Sequence, residues 1–143
     1  MNVADLLEPG DIHLHFDAAS IAEAIPRLLE PALLRELHDP AIAKTIVDSA
    51  VRREEESSTR CGGTVALPHA RSSAVDKFVV TLGVRDIDPR LIFAFVSPEG
   101  QREQHLKLLA SLARLSQNSK VVEQITSASK VDQVIDALRS AGI

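Results

Sequence analysis

Apolar positions along this chain switch between two spacings, and each switch predicts an element. From Asp11 to Phe16 they alternate, with Ile12, Leu14 and Phe16 on one side and His13 and His15 on the other, which predicts a half-exposed strand. Ser20-Ile-Ala-Glu23 then has the spacing of a capping box and opens a helix whose stripe is Ile21, Ala24, Ile25, Leu28 and Leu29. Pro26 falls inside that helix and predicts a kink or a shifted start. Asp39-Pro40 reads as N-cap and first helical residue of a second helix, with Ile42, Ile46, Val47, Ala50 and Val51 at helical spacing as far as about Arg53. Residues 54–63 lose all periodicity and predict a polar loop.

Strands follow. Val65 to Leu67 is a short apolar run stopped by Pro68. Phe78 to Val84 and Leu91 to Val96 are almost wholly apolar, as strands covered on both faces are. The turn between those two centres on Asp88-Pro89, and Ser97-Pro98-Glu99-Gly100 ends the second. A helix from about Gln101 to Ser116 is expected to turn Leu106, Leu109, Ala110 and Ala113 inward, with Leu108, Leu112 and Leu115 widening that face. Two short helices close the chain, Ser119–Thr126 and one capped by Ser129 with Val131, Val134, Ile135 and Leu138 inward. Helices interleaved with strands predict an α/β fold in one layered domain over residues 1–143.

Composition narrows this further. With no Trp, no Tyr and four Phe, the core must be aliphatic, which favours helices on a sheet over an aromatic-rich barrel. The net charge of −4 and scattered basic residues argue against nucleic acid as a partner. No apolar run is long enough to insert in a membrane, the first residues do not resemble a secretory signal, and one cysteine fits a reducing cytoplasm.

The candidate chemistry centres on Cys61-Gly-Gly-Thr-Val-Ala-Leu-Pro-His69-Ala-Arg71. Pro68 ends the apolar run and is expected to hold His69 at the carboxyl edge of a strand, where open α/β sheets place their sites. Ser57, Ser58, Thr59, Gly62 and Gly63 form a loop whose hydroxyls and amides suit an anion. Arg53 ends the helix leading into that loop, and Arg71 lies two residues beyond the histidine. His105, near the start of its helix on the side of Leu108, Leu109 and Leu112, reads either as a core histidine or as a neutral donor to an anion. His13 and His15 read as solvated, His38 as a helix-end residue facing the last carbonyls, and Glu54-Glu55-Glu56 as a solvated charge run. A Cys61–His69 nucleophile and base would lack a third, orienting group. No metal-ligand set and no nucleotide-binding glycine motif is present.

Arg53-Glu54, Ser58-Thr59, Gly62 and Ala66-Leu67-Pro68-His69 together resemble the active-site segment of enzyme IIA domains of the phosphoenolpyruvate-dependent sugar phosphotransferase system. The group is the fructose/mannitol type, which includes the nitrogen-regulatory IIA proteins. His105 to Leu115 resembles that family's second-histidine helix, and the order of elements agrees over nearly the whole chain. Thr64 stands where the family often has Gly, Ala70-Arg71 replaces a frequent Gly-Lys, and the turn at 86–90 is shorter than the family's hairpin. The resemblance implies a central mixed sheet flanked by helices. It implies a cytoplasmic phosphocarrier that takes a phosphoryl group from the phosphohistidine of HPr onto His69 and passes it to a IIB domain or uses it as a regulatory signal. Arg53 would neutralise the phosphoryl oxygens and His105 would hydrogen-bond them, with Ser58, Thr59 and Gly62 as further contacts and no cofactor. The alternative it leaves is a non-catalytic docking module on the same fold.

Overall fold

The computed structural model describes residues 2–143. A single helical turn, α1 (Val3–Leu6), leads into β1 (Leu7–His13), followed by helices α2 (Ile21–Leu37) and α3 (Pro40–Glu56). Next come the short strands β2 (Arg60–Cys61), β3 (Val65–Ala66) and β4 (His69–Ser72), then β5 (Val79–Val84) and β6 (Leu91–Pro98). Helices α4 (Arg102–Ser116), α5 (Ser119–Thr126) and α6 (Val131–Ser140) complete the chain. The strands form one mixed sheet in the order β1-β5-β6-β3-β2, with β4 continuing beside β6 where β3 leaves off. β5 and β6 run antiparallel, as do β2 and β3, whereas β1 is parallel to β5, and β3 and β4 are parallel to β6.

β6 is shared by both layers along most of its length. Leu91, Phe93 and Phe95 face the layer of α1, α4, α5 and α6, and Ile92, Ala94 and Val96 face α2 and α3. Every residue of the strand is buried, which explains its unbroken apolar run from Leu91 to Val96. The first helices begin as their caps dictate: Ser20 Oγ accepts from the Glu23 N–H, and Asp39 Oδ1 accepts from the N–H groups of Ala41 and Ile42.

Several boundaries differ from the sequence expectation. The first strand is Leu7–His13, shifted upstream of 11–16, because His15 takes a left-handed backbone (φ 53°) that turns the chain away. Between Leu7 and Ile12 its register against β5 slips around Pro9-Gly10, an irregularity an edge strand tolerates. α2 runs through both Pro26 and Pro31 to Leu37; Pro31 is exposed and Pro26 half-buried, so the carbonyls deprived of a donor lie toward water. Residues 54–63 are not one loop, since α3 continues to Glu56 and Arg60–Cys61 pairs with Val65–Ala66 as a hairpin. Ser97 and Pro98 extend β6 beyond the expected end. On α4 the inward stripe is His105, Leu108, Leu112 and Leu115, and Leu106 points out, 53% exposed. Ile42 is likewise outside, 40% exposed. The last helix is closed not by a Ser129 cap but by Gln133 Oε1, which accepts from the N–H groups of Ser129 and Lys130. His38 serves the end of α2 through its backbone, a left-handed cap whose N–H bonds the Leu34 carbonyl.

Candidate functional site

The site begins at the break between β3 and β4. Both strands lie along β6, but at Leu67-Pro68 the pairing lapses, because proline has no N–H to give the ladder. The backbone groups of Leu67 turn elsewhere. Its N–H donates to Thr59 Oγ1 at 3.1 Å, and its carbonyl lies 2.6 Å from Nδ1 of His69. His69 therefore does not project from the end of the sheet, as expected, but re-enters it as the first residue of β4, opposite Phe95 of β6. Its imidazole stacks on the Phe95 ring, centroids 4.9 Å apart and planes 13° from parallel. That places the ring on the α4 side of the sheet.

A carbonyl only accepts, so Nδ1 of His69 carries the proton and Nε2 keeps its lone pair. The ring is thus oriented and left nucleophilic at one nitrogen. His105, on the buried face of α4, brings its own ring to 5.2 Å from that of His69, tilted by 59°. Burial pushes the His69 pKa below the ordinary imidazole value, and the charge of Arg53 acts in the same direction, while the Leu67 carbonyl and Glu54 oppose them. His105 is lowered by burial first, then by His69 and by Arg71. Both rings are accordingly neutral near pH 7.

Arg53, on the last turn of α3, donates one N–H to the carbonyl of Ser57 at 2.7 Å and remains exposed, with further guanidinium donors to spare. Arg71 shares the face of β4 that His69 uses, two residues along, and donates to the Glu99 carbonyl at 2.7 Å. The charge of Arg53 thus reaches His69, and that of Arg71 reaches His105.

The loop residues divide. Thr59 is committed to the scaffold: its N–H and its hydroxyl both bond the Glu54 carboxylate, the hydroxyl at 2.6 Å, while Oγ1 accepts from Leu67. Ser58 is exposed and accepts from the Arg60 N–H. Gly62 sits with Gly63 in the tip of the β2–β3 hairpin, both with positive φ, which a side chain would resist. Its neighbours there are Ser116 and Gln117, at the far end of α4, about 16 Å from His105 by helical rise. The fold thus gathers His69, His105, Arg53 and Arg71, and leaves Gly62 apart.

Two residues to which the sequence reading gave no role also support the site. Glu54 is only 8% exposed, not part of a solvated run, and its chain of bonds through Thr59 to Leu67 fixes the carbonyl that orients His69. The signal was present: Ala43, Val47, Ala50 and Glu54 recur at the spacing of one buried stripe. The other is Ser97, hidden in what reads as a strand-ending turn, whose Oγ lies 2.7 Å from Nδ1 of His105.

The fold agrees with what comparison with known proteins finds. Residues 5–141 match the family described as "Phosphoenolpyruvate-dependent sugar phosphotransferase system, EIIA 2", and the chain belongs to that family. It is 24% identical over 151 residues to the fructose-specific EIIABC component of Bacillus subtilis, covering 96% of this chain but only 23% of that longer protein. In structure it resembles the nitrogen regulatory protein IIA-Ntr of Neisseria meningitidis, with a TM-score of 0.78, 23% identity, and 95% of this chain and 98% of that one covered. It also resembles the enzyme IIA of Escherichia coli solved in a complex of IIAMtl with phosphorylated IIBMtl, at a TM-score of 0.73 and 22% identity, covering 94% and 97% of the two chains. No helix among the described residues is long and apolar enough to cross a membrane.

Proposed function

We propose that residues 1–143 act as one enzyme IIA unit, a cytoplasmic phosphocarrier that takes a phosphoryl group onto Nε2 of His69 and gives it up again. The observation carrying this reading is the His69 Nδ1–H bond to the Leu67 carbonyl beside a second, neutral imidazole. In the forward step the Nε2 lone pair forms a new P–N bond to phosphorus as the P–N bond of a donor phosphohistidine breaks. The bonding electrons return to the donor ring. His69 keeps its Nδ1 proton throughout, and the Leu67 carbonyl stabilises the positive charge that builds on the ring.

Transfer of this kind is positioning and charge stabilisation more than bond-making by the protein. Arg53 supplies a positive charge that acts on His69, and its planar fork suits phosphoryl oxygens in a way an ammonium would not. His105 supplies a neutral donor from the other side. The phosphoramidate product is labile, so the group moves on to a IIB domain or acts as a regulatory signal. The donor is an HPr-like phosphohistidine protein. A IIB recipient is favoured by the E. coli IIA–IIB complex, and a regulatory target by the likeness to the Neisseria protein.

Intact-mass spectrometry after incubation with phosphoenolpyruvate, enzyme I and HPr, each omitted in turn, tests the reading. An acid-labile gain of one phosphoryl group is expected, dependent on HPr, absent in His69→Gln and slowed in His105→Ala. Full labelling of His69→Gln would overturn the acceptor assignment. No labelling of the wild-type chain by a cognate HPr would leave a docking module on the same fold.

A further inference from the structure

Ser97 is the one polar side chain on the α4 face of β6, and it is completely buried. Alternation along the strand sets its direction: Leu91, Phe93 and Phe95 point to the α4 layer, and two residues beyond Phe95 so does Ser97. Its register partner across β4 is Arg71, just as the partner of Phe95 is His69. There its Oγ meets Nδ1 of His105, itself only 6% exposed, at 2.7 Å. Among the described residues this is the sole hydrogen bond Ser97 Oγ makes.

The direction of that bond follows from what a buried hydroxyl needs. A hydroxyl hydrogen shut away from water must find an acceptor, and the one within reach is Nδ1. If Nδ1 carried the ring proton, two hydrogens would compete for one line and the serine hydrogen would be stranded. Ser97 therefore donates, Nδ1 of His105 accepts, and the ring proton of His105 sits on Nε2, the edge turned away from Ser97. His69 has the opposite arrangement, because a carbonyl rather than a hydroxyl faces its Nδ1. Two imidazoles 5.2 Å apart are thus held in opposite tautomers.

We infer that Ser97 is the positioning residue that gives the two histidines their separate roles, by locking His105 in the Nε2–H form beside a His69 whose Nε2 bears the lone pair. Locked this way, His105 is a hydrogen-bond donor to a group on His69 and has no free lone pair at Nε2 to repel its oxygens or to compete for phosphorus. The inference rests on the phosphocarrier reading for its consequence. The tautomer itself does not depend on that reading.

The test uses the whole chain with 15N-labelled histidine. Two-bond 1H–15N correlation spectra at neutral pH report which ring nitrogen carries the proton. Wild type should show His105 as Nε2–H and His69 as Nδ1–H. Ser97→Ala should move His105 to Nδ1–H or a mixture while His69 stays as it was, which also shows that the site has remained folded. Ser97→Thr, which keeps the hydroxyl, should restore the wild-type pattern. In phosphoryl transfer from phospho-HPr, Ser97→Ala should be slower by roughly 10- to 100-fold, less than complete loss of a preorganised donor costs, and Ser97→Thr should recover most of the rate. A wild-type His105 found as Nδ1–H, or a tautomer unchanged in Ser97→Ala, overturns the proposal. So does normal transfer by Ser97→Ala in a wild-type background that transfers. If the wild-type chain takes no phosphoryl group at all, the phosphocarrier reading fails, and the spectra still decide the tautomer.

Discussion

His69 and His105 are both held below the ordinary imidazole pKa of about 6.5, chiefly by burial, with Arg53 adding to the effect at His69 and with His69 and Arg71 adding at His105. A nucleophilic ring must be neutral, so the shift predicts how phosphoryl uptake depends on pH. The rate from phospho-HPr should stay on its plateau down to about pH 6.5 and fall only below it. An alkaline-quenched rate profile with its midpoint at or above that pH would contradict the burial argument. Stability moves with the same protons. Below the unfolded value the unfolded chain binds more protons than the folded one, so stability rises with pH there. The contribution of the two rings is fully present above about pH 6.5 and is lost as pH falls toward their depressed folded values. At this scale the nearness of His69 and His105, with the Arg53 charge acting on His69, was expected from residue types and order that resemble a known site. Glu54 and Ser97 were not. Glu54 was masked by two neighbouring glutamates that really are exposed, and Ser97 by a proline and glycine that signalled a turn while the strand ran on.

Among the elements, legibility followed the strength of the local cause. α3 was readable from Asp39-Pro40 because a carboxylate before proline both caps and starts a helix, and the two N–H groups on Asp39 Oδ1 at 3.1 Å show that cap in place. β4 was not readable. His-Ala-Arg-Ser has neither alternation nor strong β propensity, and it is a strand only because β6 offers it a partner. The same logic separates stability from function along α3. Asp39→Ala removes the acceptor for two orphan donors and should cost about 1 kcal/mol, read as a lower denaturant midpoint with an unchanged m-value. Arg53 lies fourteen residues further on, about 21 Å by helical rise, so labelling of His69 should proceed at the wild-type rate. Loss of transfer in a folded Asp39→Ala chain would show that the far end of the helix is not held independently of its cap.

Across the whole molecule, the site is a seam. Arg53 arrives on a helix of one layer, His105 on a helix of the other, and His69 on the sheet between them. The layered α/β plan was visible in the order of elements, but not which side of the sheet each histidine would take, since that is decided by the pairing of β4 with β6. Each layer has its own hydrophobic cluster, but β6 sends alternate side chains into both and so ties the two together. Damage to either should therefore be felt by the entire fold. Leu33 is fully buried in the α2–α3 layer and Leu112 in the α4 layer. Leu33→Ala and Leu112→Ala should each cost about 2–5 kcal/mol, lowering a single cooperative transition that is the same by circular dichroism and by histidine NMR signals. Two separated transitions, one for each layer, would refute this. Leu112 lies on the same face of α4 as His105, two turns further on, and α4 carries that ring to His69. Leu112→Ala should therefore also slow phosphoryl uptake under conditions where the chain remains folded, while Leu33→Ala, acting from the opposite face of the sheet, should leave the His69–His105 geometry and the uptake rate nearer to wild type.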